Sequence, residues 1–263
     1  MNAVTVLVGF VLALAIAATA WRAGALSRGG AIAAVVAGTV AVAAGWGWAT
    51  ILVAFFLSAT LIGRVRTRQR EERVAGRIAK GGRRDAVQVL ANGGVFLAAA
   101  MGWLVHPDPL WQMLGAGGLA SAAADTWATE VGTLAPTPPR SILTWKTVDV
   151  GASGGVTLSG TAAGVAGAAF IAGVTVLAGW PREAALAALA GGVIGCGVDS
   201  LLGAMLQVRR WCATCRMATE MVVHRCGSET AIVGGLRWLD NDGVNALSSL
   251  AGAMAGAGVA LLG

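Results

Sequence analysis

Apolar residues fill eight stretches of this 263-residue chain, and shorter polar segments separate them. A helix of about 20 apolar residues crosses the roughly 30 Å hydrocarbon core of a bilayer. The predicted spans are Asn2–Ala20, Ala31–Ala44, Trp48–Gly63, Ala86–Val105, Leu110–Thr133, Val156–Trp180, Ala184–Val208 and Gly243–Gly263. The pattern predicts an all-α fold, a polytopic membrane helix bundle of about eight transmembrane helices.

Composition agrees with a location in the bilayer. The chain is 56% hydrophobic and 12% charged, whereas soluble domains are about 25% charged. Its 39 glycines would let helices pack closely through small-residue faces. No internal repeat or low-complexity linker divides the sequence. Residues 1–263 are therefore predicted to form a single integral-membrane domain, multi-pass in the cell membrane and surrounded by membrane lipids, with no particular oligomeric state indicated.

Basic residues are distributed unequally between the two sides of the predicted bundle. If successive helices alternate in direction, all of the 19 basic residues except Arg182 lie on one side. The positive-inside rule makes that side cytoplasmic, with both termini outside and the loops 64–85, 134–155 and 209–240 inside. The net charge of +6 therefore does not indicate nucleic-acid binding. The arginine-rich stretch 64–84 either sets topology and attracts anionic lipids or binds phosphate.

Acidic and amide side chains collect near the cytoplasmic ends of four predicted helices. A carboxylate inside a membrane costs about 3 kcal/mol on insertion scales, and it usually faces the bundle interior or a water-filled cavity. These side chains belong to Asp85, Asn92, Asp125, Glu130, Asp199, Asp242 and Asn245. Asp125 and Glu130 are about 140° apart on an ideal helix, so they meet one ion only if the helix distorts or a cavity wraps around it.

Each of these residues also has a purely structural explanation. A helix N-cap or an interhelical hydrogen bond accounts for any one of them, and Asp242, at the start of the last helix, suits an N-cap best. Their collection at one membrane depth on four helices favours a functional site.

Oxygen ligands without imidazole suit a hard cation such as Mg²⁺, which usually reaches proteins through one or two carboxylates and substrate phosphates. The candidate magnesium ligands are Asp125, Glu130, Asp199 and Asp242. The candidate phosphate-binding cations are Arg83, Arg84, Arg140 and Lys146. The glycine-rich stretch 149–157 could present backbone N–H groups to an anion at a helix start. No GxxxxGK[ST] motif is present, so a P-loop is excluded.

A separate group of soft ligands lies in the 209–240 loop. Cys212 and Cys215 form a CxxC pair, and His224 and Cys226 follow one residue apart. Four such ligands match the number that a structural zinc site needs, although the HxC spacing is tighter than in zinc fingers. Three states remain open: bound Zn²⁺, reduced thiols, and a disulfide, which a reducing cytoplasm disfavours.

Several motifs together resemble the integral-membrane family that includes the vertebrate transmembrane-protein-nineteen group and the phytyl-phosphate kinases of plants and cyanobacteria. The matching stretches are Gly82-Arg-Arg-Asp85, Gln88-Val-Leu-Ala-Asn92-Gly-Gly94, Ala124-Asp125-Thr126-Trp-Ala-Thr129-Glu130-Val-Gly132, Pro139-Arg140, Gly154-Gly155-Val, Asp199-Ser200-Leu-Leu-Gly203 and Asn241-Asp242-Gly-Val-Asn245. They occur in the family's order and cover nearly the whole chain.

For its phytyl-phosphate kinase members, the resemblance implies an enzyme that transfers phosphate from a nucleoside triphosphate, CTP or another, to an isoprenyl monophosphate. Asp125, Glu130 and Asp199 would be the catalytic and metal-site acids. The phosphate- and substrate-binding residues would be Arg83, Arg84, Asp85, Asn92, Arg140, Lys146 and Asn245. Phosphoryl transfer needs mainly positioning and electrostatic stabilisation, so the absence of a histidine at membrane level is no objection.

Two other functions are compatible with the same residues. A CTP-dependent nucleotidyltransferase acting on a lipid phosphate would use the same ions and phosphates. An ion-coupled transporter would use Asp125 and Asp199 as cation or proton sites, but its usual sign, two similar halves, is not seen in the sequence.

Overall fold

The computed structural model describes residues 3–65, 67–78 and 82–259. The helices in these residues are α1 (Ala3–Arg22), α2 (Arg28–Ala44), α3 (Trp46–Arg64), α4 (Thr67–Arg73), α5 (Ala86–Val105), α6 (Pro109–Gly132), α7 (Leu158–Leu177), α8 (Arg182–Met205) and α9 (Asn241–Gly258). The strands are β1 (Arg140–Ser141), β2 (Gly155–Val156), β3 (Arg209–Cys212), β4 (Met217–Thr219) and β5 (Ala231–Gly234).

A long helix occupies each of the eight apolar segments predicted from the sequence. Five of the described helices, α1, α3, α5, α7 and α8, are long and apolar enough to cross a membrane. α2 is shorter, with 17 residues, and α6 and α9 are interrupted by polar and small residues. The count of eight spans and the outward position of both termini stay predictions. Two predicted span ends, Asn2 and 260–263, lie outside the described residues.

The centre of the bundle is α6, which packs against α5, α7, α8 and α9. Every residue from Gly115 to Ala124 is buried. Glycines set the helix spacing here, because a Cβ added at Gly117 would lie 2.5 Å from the carbonyl oxygen of Gly252, and one added at Gly191 would collide with the same oxygen. Close approach of this kind is what small-residue faces permit in membrane bundles.

Side-chain caps fix the starts of several helices. Asp85 and Gln88 form a reciprocal capping box at the start of α5. Asp108 caps α6 and Thr157 caps α7. The N-cap of α9 is Asp240, whose Oδ1 accepts from the Gly243 N–H at 3.0 Å. The structural alternative considered for Asp242, a helix N-cap, therefore does not apply to it.

Two small antiparallel sheets lie in the loops, and the helical hydropathy pattern gave no indication of them. β1 pairs with β2, with Arg140 opposite Val156. In the second sheet β3 lies between β4 and β5. The all-α prediction therefore holds for the bundle and omits these loop sheets.

Contacts among the helix ends define two ends of the bundle. At one of them, the Ser27 N–H donates to the Arg84 carbonyl at 3.0 Å, and the Val208 N–H donates to the Leu239 carbonyl at 2.8 Å. We call this the basic end, because the arginine-rich segment joins it. At the tryptophan end, Trp48 contacts Trp180 with ring centroids 4.6 Å apart.

Candidate functional site

A cavity of about 980 Å³ opens at the basic end of the bundle. α5, α6, α7, α8 and α9 contribute to its wall, together with the loops that contain the two small sheets. It brings together seven of the predicted site residues: Arg83, Arg84, Asn92, Asp125, Glu130, Asp199 and Asn245. Candidate residues chosen from the sequence on four different helices thus line one cavity.

The deepest polar feature of this cavity is a pair of acids on neighbouring helices, which we call the acid pair. Asp125 of α6 and Asp199 of α8 are close enough for their carboxyl groups to share a hydrogen bond. The Ser248 hydroxyl of α9 donates to Asp199 Oδ2 at 3.0 Å. Two carboxylates in contact repel each other unless a proton or a cation lies between them. The acid pair is therefore a site for one or the other.

Small residues let the helices that hold the acid pair come together. Ser121, one turn before Asp125, donates to the Ser248 carbonyl at 3.0 Å. A Cβ at Gly195, one turn before Asp199, would collide with the Ser121 hydroxyl. Residues at i and i+4 share one helix face, so the same face that packs the helices also presents the acids to the cavity.

Glu130 lies nearer the rim and is engaged differently from the acid pair. Its Oε2 forms an ion pair with Arg70 Nε at 2.9 Å, and only 14% of the Glu130 side chain and 16% of the Arg70 side chain are exposed. That Glu130 joins Asp125 on one ion stays a prediction: α6 continues as a regular helix through both residues, and both line the same cavity. Arg70 was not singled out from the sequence, since nothing distinguishes it from its basic neighbours.

Arg84 is a half-buried basic side chain on the cavity wall. Its guanidinium donates to Ala59 O at 3.3 Å and to Thr60 Oγ1 at 3.4 Å. Burial lowers the pKa of Arg84, and the nearby Glu130 carboxylate acts in the opposite direction. Arginine nevertheless stays charged, so a fixed positive charge lies at this wall of the cavity.

Four of the predicted residues do not line the cavity. Asp85 accepts from the Gln88 N–H at 2.9 Å as a helix cap. Arg140 is exposed and donates to the Trp145 carbonyl at 3.0 Å. Lys146 lies exposed in the turn between β1 and β2, and Asp242 is buried in the first turn of α9. The β1–β2 hairpin directs Arg140 and Lys146 along the outer surface, which the sequence pattern could not reveal.

The 209–240 loop contributes a wall that sequence reasoning missed. Glu220 lines the cavity, and its Oε1 accepts from Gln207 Nε2 at 2.7 Å and from Ser153 Oγ at 3.3 Å. Glu220 follows a strand of the small sheet, and no local motif marked it. The glycine-rich stretch 149–157, predicted to cradle an anion, also lies on the wall from Val150 to Thr157.

A second, smaller space adjoins the cavity. This apolar crevice of about 110 Å³ runs between α1, α2, α3 and α5. Four residues line both spaces: Arg84, Gln88, Asn92 and Thr126. Apart from them, small and apolar side chains such as Ala17, Gly38 and Phe55 form its wall. The polar cavity and the apolar crevice are thus adjacent, and polar side chains line the boundary between them.

The predicted soft ligands also come together. The ligand atoms of Cys212, Cys215, His224 and Cys226 all lie within 4.8 Å of one another. All four cysteines of the chain, which fall within the described residues, are free thiols. Hydrogen bonds from Ser228 and His224 lower the pKa of Cys226 to about 5, whereas the neighbouring Cys226 raises the pKa of Cys215 to about 11.

Fold and site together define a class: a polytopic helical membrane protein with a polar, charged cavity at one end of the bundle. Residues 11–253 match the family described as "Integral membrane protein DUF92", and the chain belongs to that family. It is 31% identical over 253 residues to Protein PGR of Arabidopsis thaliana, covering 86% of this chain and 85% of that protein.

A second relative is a protein of Methanocaldococcus jannaschii that carries the name of an uncharacterized membrane protein. It is 31% identical over 164 residues, covering 62% of this chain and 66% of the relative. No solved structure matches this chain.

Proposed function

We propose that this protein is a membrane lipid phosphotransferase. It would transfer the terminal phosphate of a nucleoside triphosphate to an isoprenyl monophosphate, forming the diphosphate at the cytoplasmic face of the cell membrane. The proposal draws on the resemblance of its motifs to those of phytyl-phosphate kinases. The family relationship supports an integral membrane protein, and the site geometry supplies the chemical argument.

The observation that carries the proposal is the junction of the polar cavity with the apolar crevice. An isoprenyl phosphate is an amphiphile, with a charged head and an apolar tail. Its head would lie among the arginines and acids of the cavity, while the first part of its tail would enter the crevice between α1, α2, α3 and α5. Arg84 lines both spaces, so its guanidinium would bind the phosphate where the tail begins.

A cavity of about 980 Å³ also has room for a second polar molecule, since ligand pockets usually measure about 300–1,000 Å³. The nucleoside triphosphate would enter from the basic end, where Arg64, Arg70 and Arg83 line the wall. Their charges attract an anionic nucleotide to the cavity mouth. Glu130 would hold Arg70 in a fixed position through their ion pair.

The donor atoms around the acid pair fit Mg²⁺. Asp125 and Asp199 supply carboxylate oxygens, and Asn92 and Asn245, which line the same cavity, would supply amide oxygens. Hard cations prefer such ligands. Bound there, Mg²⁺ would neutralise charge on the phosphates of the nucleotide and the lipid. The Ser248 hydroxyl would hold the Asp199 carboxylate in place through its hydrogen bond.

The reaction would need little covalent help from the protein. An oxygen of the lipid monophosphate attacks the terminal phosphorus of the nucleotide. The bond between that phosphorus and the bridging oxygen breaks, and nucleoside diphosphate leaves with the electron pair. Because the attacking oxygen is already ionised, no general base is required. The chain's contribution is to orient both phosphates and to balance their charge.

The acid pair gives a specific reason to keep ion-coupled transport as a second candidate. Buried carboxyl pairs are also used to bind and release a proton or a cation. Transport would require the cavity to open at the tryptophan end as well, where Trp48 and Trp180 are buried.

A nucleotidyltransferase remains the nearest chemical alternative, since it would use the same phosphates.

The deciding experiment uses purified protein in detergent with Mg²⁺, a panel of nucleoside triphosphates and a panel of isoprenyl monophosphates. Label from a γ-labelled nucleotide should appear in an isoprenyl diphosphate, and it should be absent with Asp125→Asn. Label from an α-labelled nucleotide in the lipid would instead indicate a nucleotidyltransferase. No labelled lipid from folded protein, together with cation uptake by proteoliposomes, would replace the proposal with transport.

A further inference from the structure

The second cluster of chemically active side chains lies in the 209–240 loop, apart from the acid pair. It consists of Cys212, Cys215, His224 and Cys226. Cys212 ends β3 and Cys215 lies in the turn that follows it, whereas His224 and Cys226 lie in a turn after β4. The four ligand atoms all lie within 4.8 Å of one another. Free thiols have no physical reason to collect in this way on a loop that is largely exposed.

Distances within the cluster match tetrahedral metal coordination. Zinc–sulfur bonds of about 2.3 Å in a tetrahedron place two sulfurs roughly 3.8 Å apart. The Sγ atoms of Cys212 and Cys226 are 3.6 Å apart. His224 directs Nδ1 towards the cluster, 3.2 Å from the Cys226 sulfur. A disulfide would require about 2.05 Å between sulfurs, so the Cys212 and Cys226 thiols are placed as co-ligands of one ion.

Backbone geometry supports the ligand positions. The Cys215 N–H approaches the Cys212 sulfur at 3.5 Å, and Arg216, the next residue, has a φ of 51°. In the second turn, the Gly227 N–H donates to the His224 carbonyl at 2.8 Å, and Gly227 has a φ of 85°. Each half of the cluster is thus a tight turn that presents two ligands to the same point.

We propose that Cys212, Cys215, His224 and Cys226 bind one zinc ion, and that this ion folds the loop that forms one wall of the cavity. Three thiolates and one imidazole complete a closed, structural zinc site. The ion has no free coordination position, so its role is to hold the chain and not to react.

The loop joins the cavity wall directly. Glu220, which lies between the two turns, donates its N–H to the Arg77 carbonyl at 2.7 Å and accepts from Gln207 Nε2 at 2.7 Å. The segment after α4 packs closely against the cluster, because a Cβ at Gly76 would lie 2.7 Å from His224 Nε2. Only Cys212 and Thr219 are buried among the residues of β3, β4 and β5, so this sheet has little core of its own, and the ion would help to keep Glu220 in place.

The first test is the metal content of the full-length protein purified in detergent, measured by mass spectrometry after removal of any affinity tag. We expect about one zinc ion per chain. The double variant Cys215→Ser, Cys226→Ser should lose the metal, whereas Cys196→Ser should keep it, because Cys196 belongs to α8. Zinc-free wild-type protein, or zinc retained by the double variant, would overturn the proposal.

Since the double variant could fail to fold, a second measurement uses only the wild-type chain. Exchange of the bound ion for Co²⁺ should produce the visible absorption of tetrahedral cobalt with thiolate ligands. Cobalt that binds without thiolate charge-transfer bands would show that the ion lies elsewhere, and it would sink the assignment of these four ligands.

Limited proteolysis tests whether the ion folds the loop. Trypsin should cleave after Arg216 and Arg225 roughly tenfold faster once a chelator has removed the metal, because local unfolding exposes these bonds. Cleavage after Arg182, at the other end of the bundle, serves as the internal reference and should not change. Equal rates with and without metal would refute the folding role. None of these three readouts depends on lipid phosphorylation, so the zinc proposal can hold or fail independently of the proposed function.

Discussion

The two ends of the helix bundle are built from the same helices but differ in what fills the space between them. At the tryptophan end, Trp48 is 1% exposed and contacts Phe96, Trp103 and Trp180, with ring centroids 4.6–6.3 Å apart. At the basic end, the helices surround a cavity of about 980 Å³ that is lined with acids, amides and arginines. Aromatic side chains fill the tryptophan end, whereas charged and polar side chains line a cavity at the basic end.

The change from the packed tryptophan end to the cavity at the basic end occurs within α6. Its residues from Gly115 to Ala124 are buried without a break, and Asp125 begins the polar part that lines the cavity. Packed apolar contacts contribute stability, whereas buried polar groups are costly unless they are paired. The main cluster of buried hydrophobic residues includes Trp48, Phe96 and Trp180, so packing stabilises the tryptophan end most, and the basic end can hold polar groups that the fold alone does not need.

Removing the centre of the aromatic cluster should have the largest effect. Trp48→Ala should destabilise the protein by about 3–5 kcal/mol, because a buried aromatic side chain leaves a cavity among its neighbours. Thermal unfolding in detergent measures the loss. Trp46→Ala is the matched control, since Trp46 is 55% exposed. Equal destabilisation by the two variants would remove the distinction between the ends.

Neutralising the acid pair should affect activity and leave folding intact. Asp125→Asn should reduce phosphate transfer by about 100-fold or more, since electrostatic stabilisation is the largest contribution to such reactions. The melting temperature should stay within about 3 °C of wild type. Asp108→Asn makes the same change at the tryptophan end, where asparagine also serves as an N-cap, and it should retain activity. An active Asp125→Asn enzyme would contradict the assignment.

Filling the apolar crevice should produce an intermediate effect. Gly93 lines the crevice, and a Cβ there meets no atom within 4 Å, so Gly93→Leu would place its side chain in the space assigned to the lipid tail. We expect transfer to a long isoprenyl phosphate to fall roughly tenfold, about 1.4 kcal/mol.

Gly94→Leu is the control for this crevice experiment. Gly94 has the same open surroundings but lies on neither wall. If both leucine variants lose activity to the same extent, the crevice does not bind the tail.

The smallest effect is expected outside the cavity. Arg140→Ala should change phosphate transfer less than twofold and stability by no more than about 0.5 kcal/mol, because the exposed side chain makes a hydrogen bond only within its own hairpin. Steady-state kinetics and melting measure the two quantities. A large rise in the KM for nucleotide would restore Arg140 to the phosphate-binding set that the sequence suggested.

The sequence predicted the bundle well, because a segment that crosses lipid forms a helix to satisfy its backbone hydrogen bonds and needs about 20 mostly apolar residues to do so. It also singled out Asp125 and Asp199, together with Glu130, since a carboxylate is conspicuous in an apolar segment, but it did not predict which two of them are in contact. The less apolar helices α6 and α9 were found as well, because glycine, alanine and leucine fill most positions between their polar residues.

The remaining site residues depend on contacts between distant parts of the chain. The ion pair of Arg70 with Glu130 joins residues that are far apart in sequence, and one arginine among many carries no local signal. Glu220 reaches the cavity only through a small sheet whose strands have three or four residues. Arg140 and Lys146 do not line the cavity, because they lie in a hairpin whose turn geometry hydropathy does not encode.

The tie between Arg84 and the start of α2 has a consequence for substrate length. The Ser27 N–H binds the Arg84 carbonyl at 3.0 Å, and Gly38, on the crevice wall, lies roughly 16 Å farther along α2 at 1.5 Å per residue. A lipid whose phosphate binds Arg84 would have its tail in contact with the crevice wall over only about half of the hydrocarbon thickness. Beyond that depth, a longer chain would meet lipid alone, and the protein would treat long prenyl groups as equivalent.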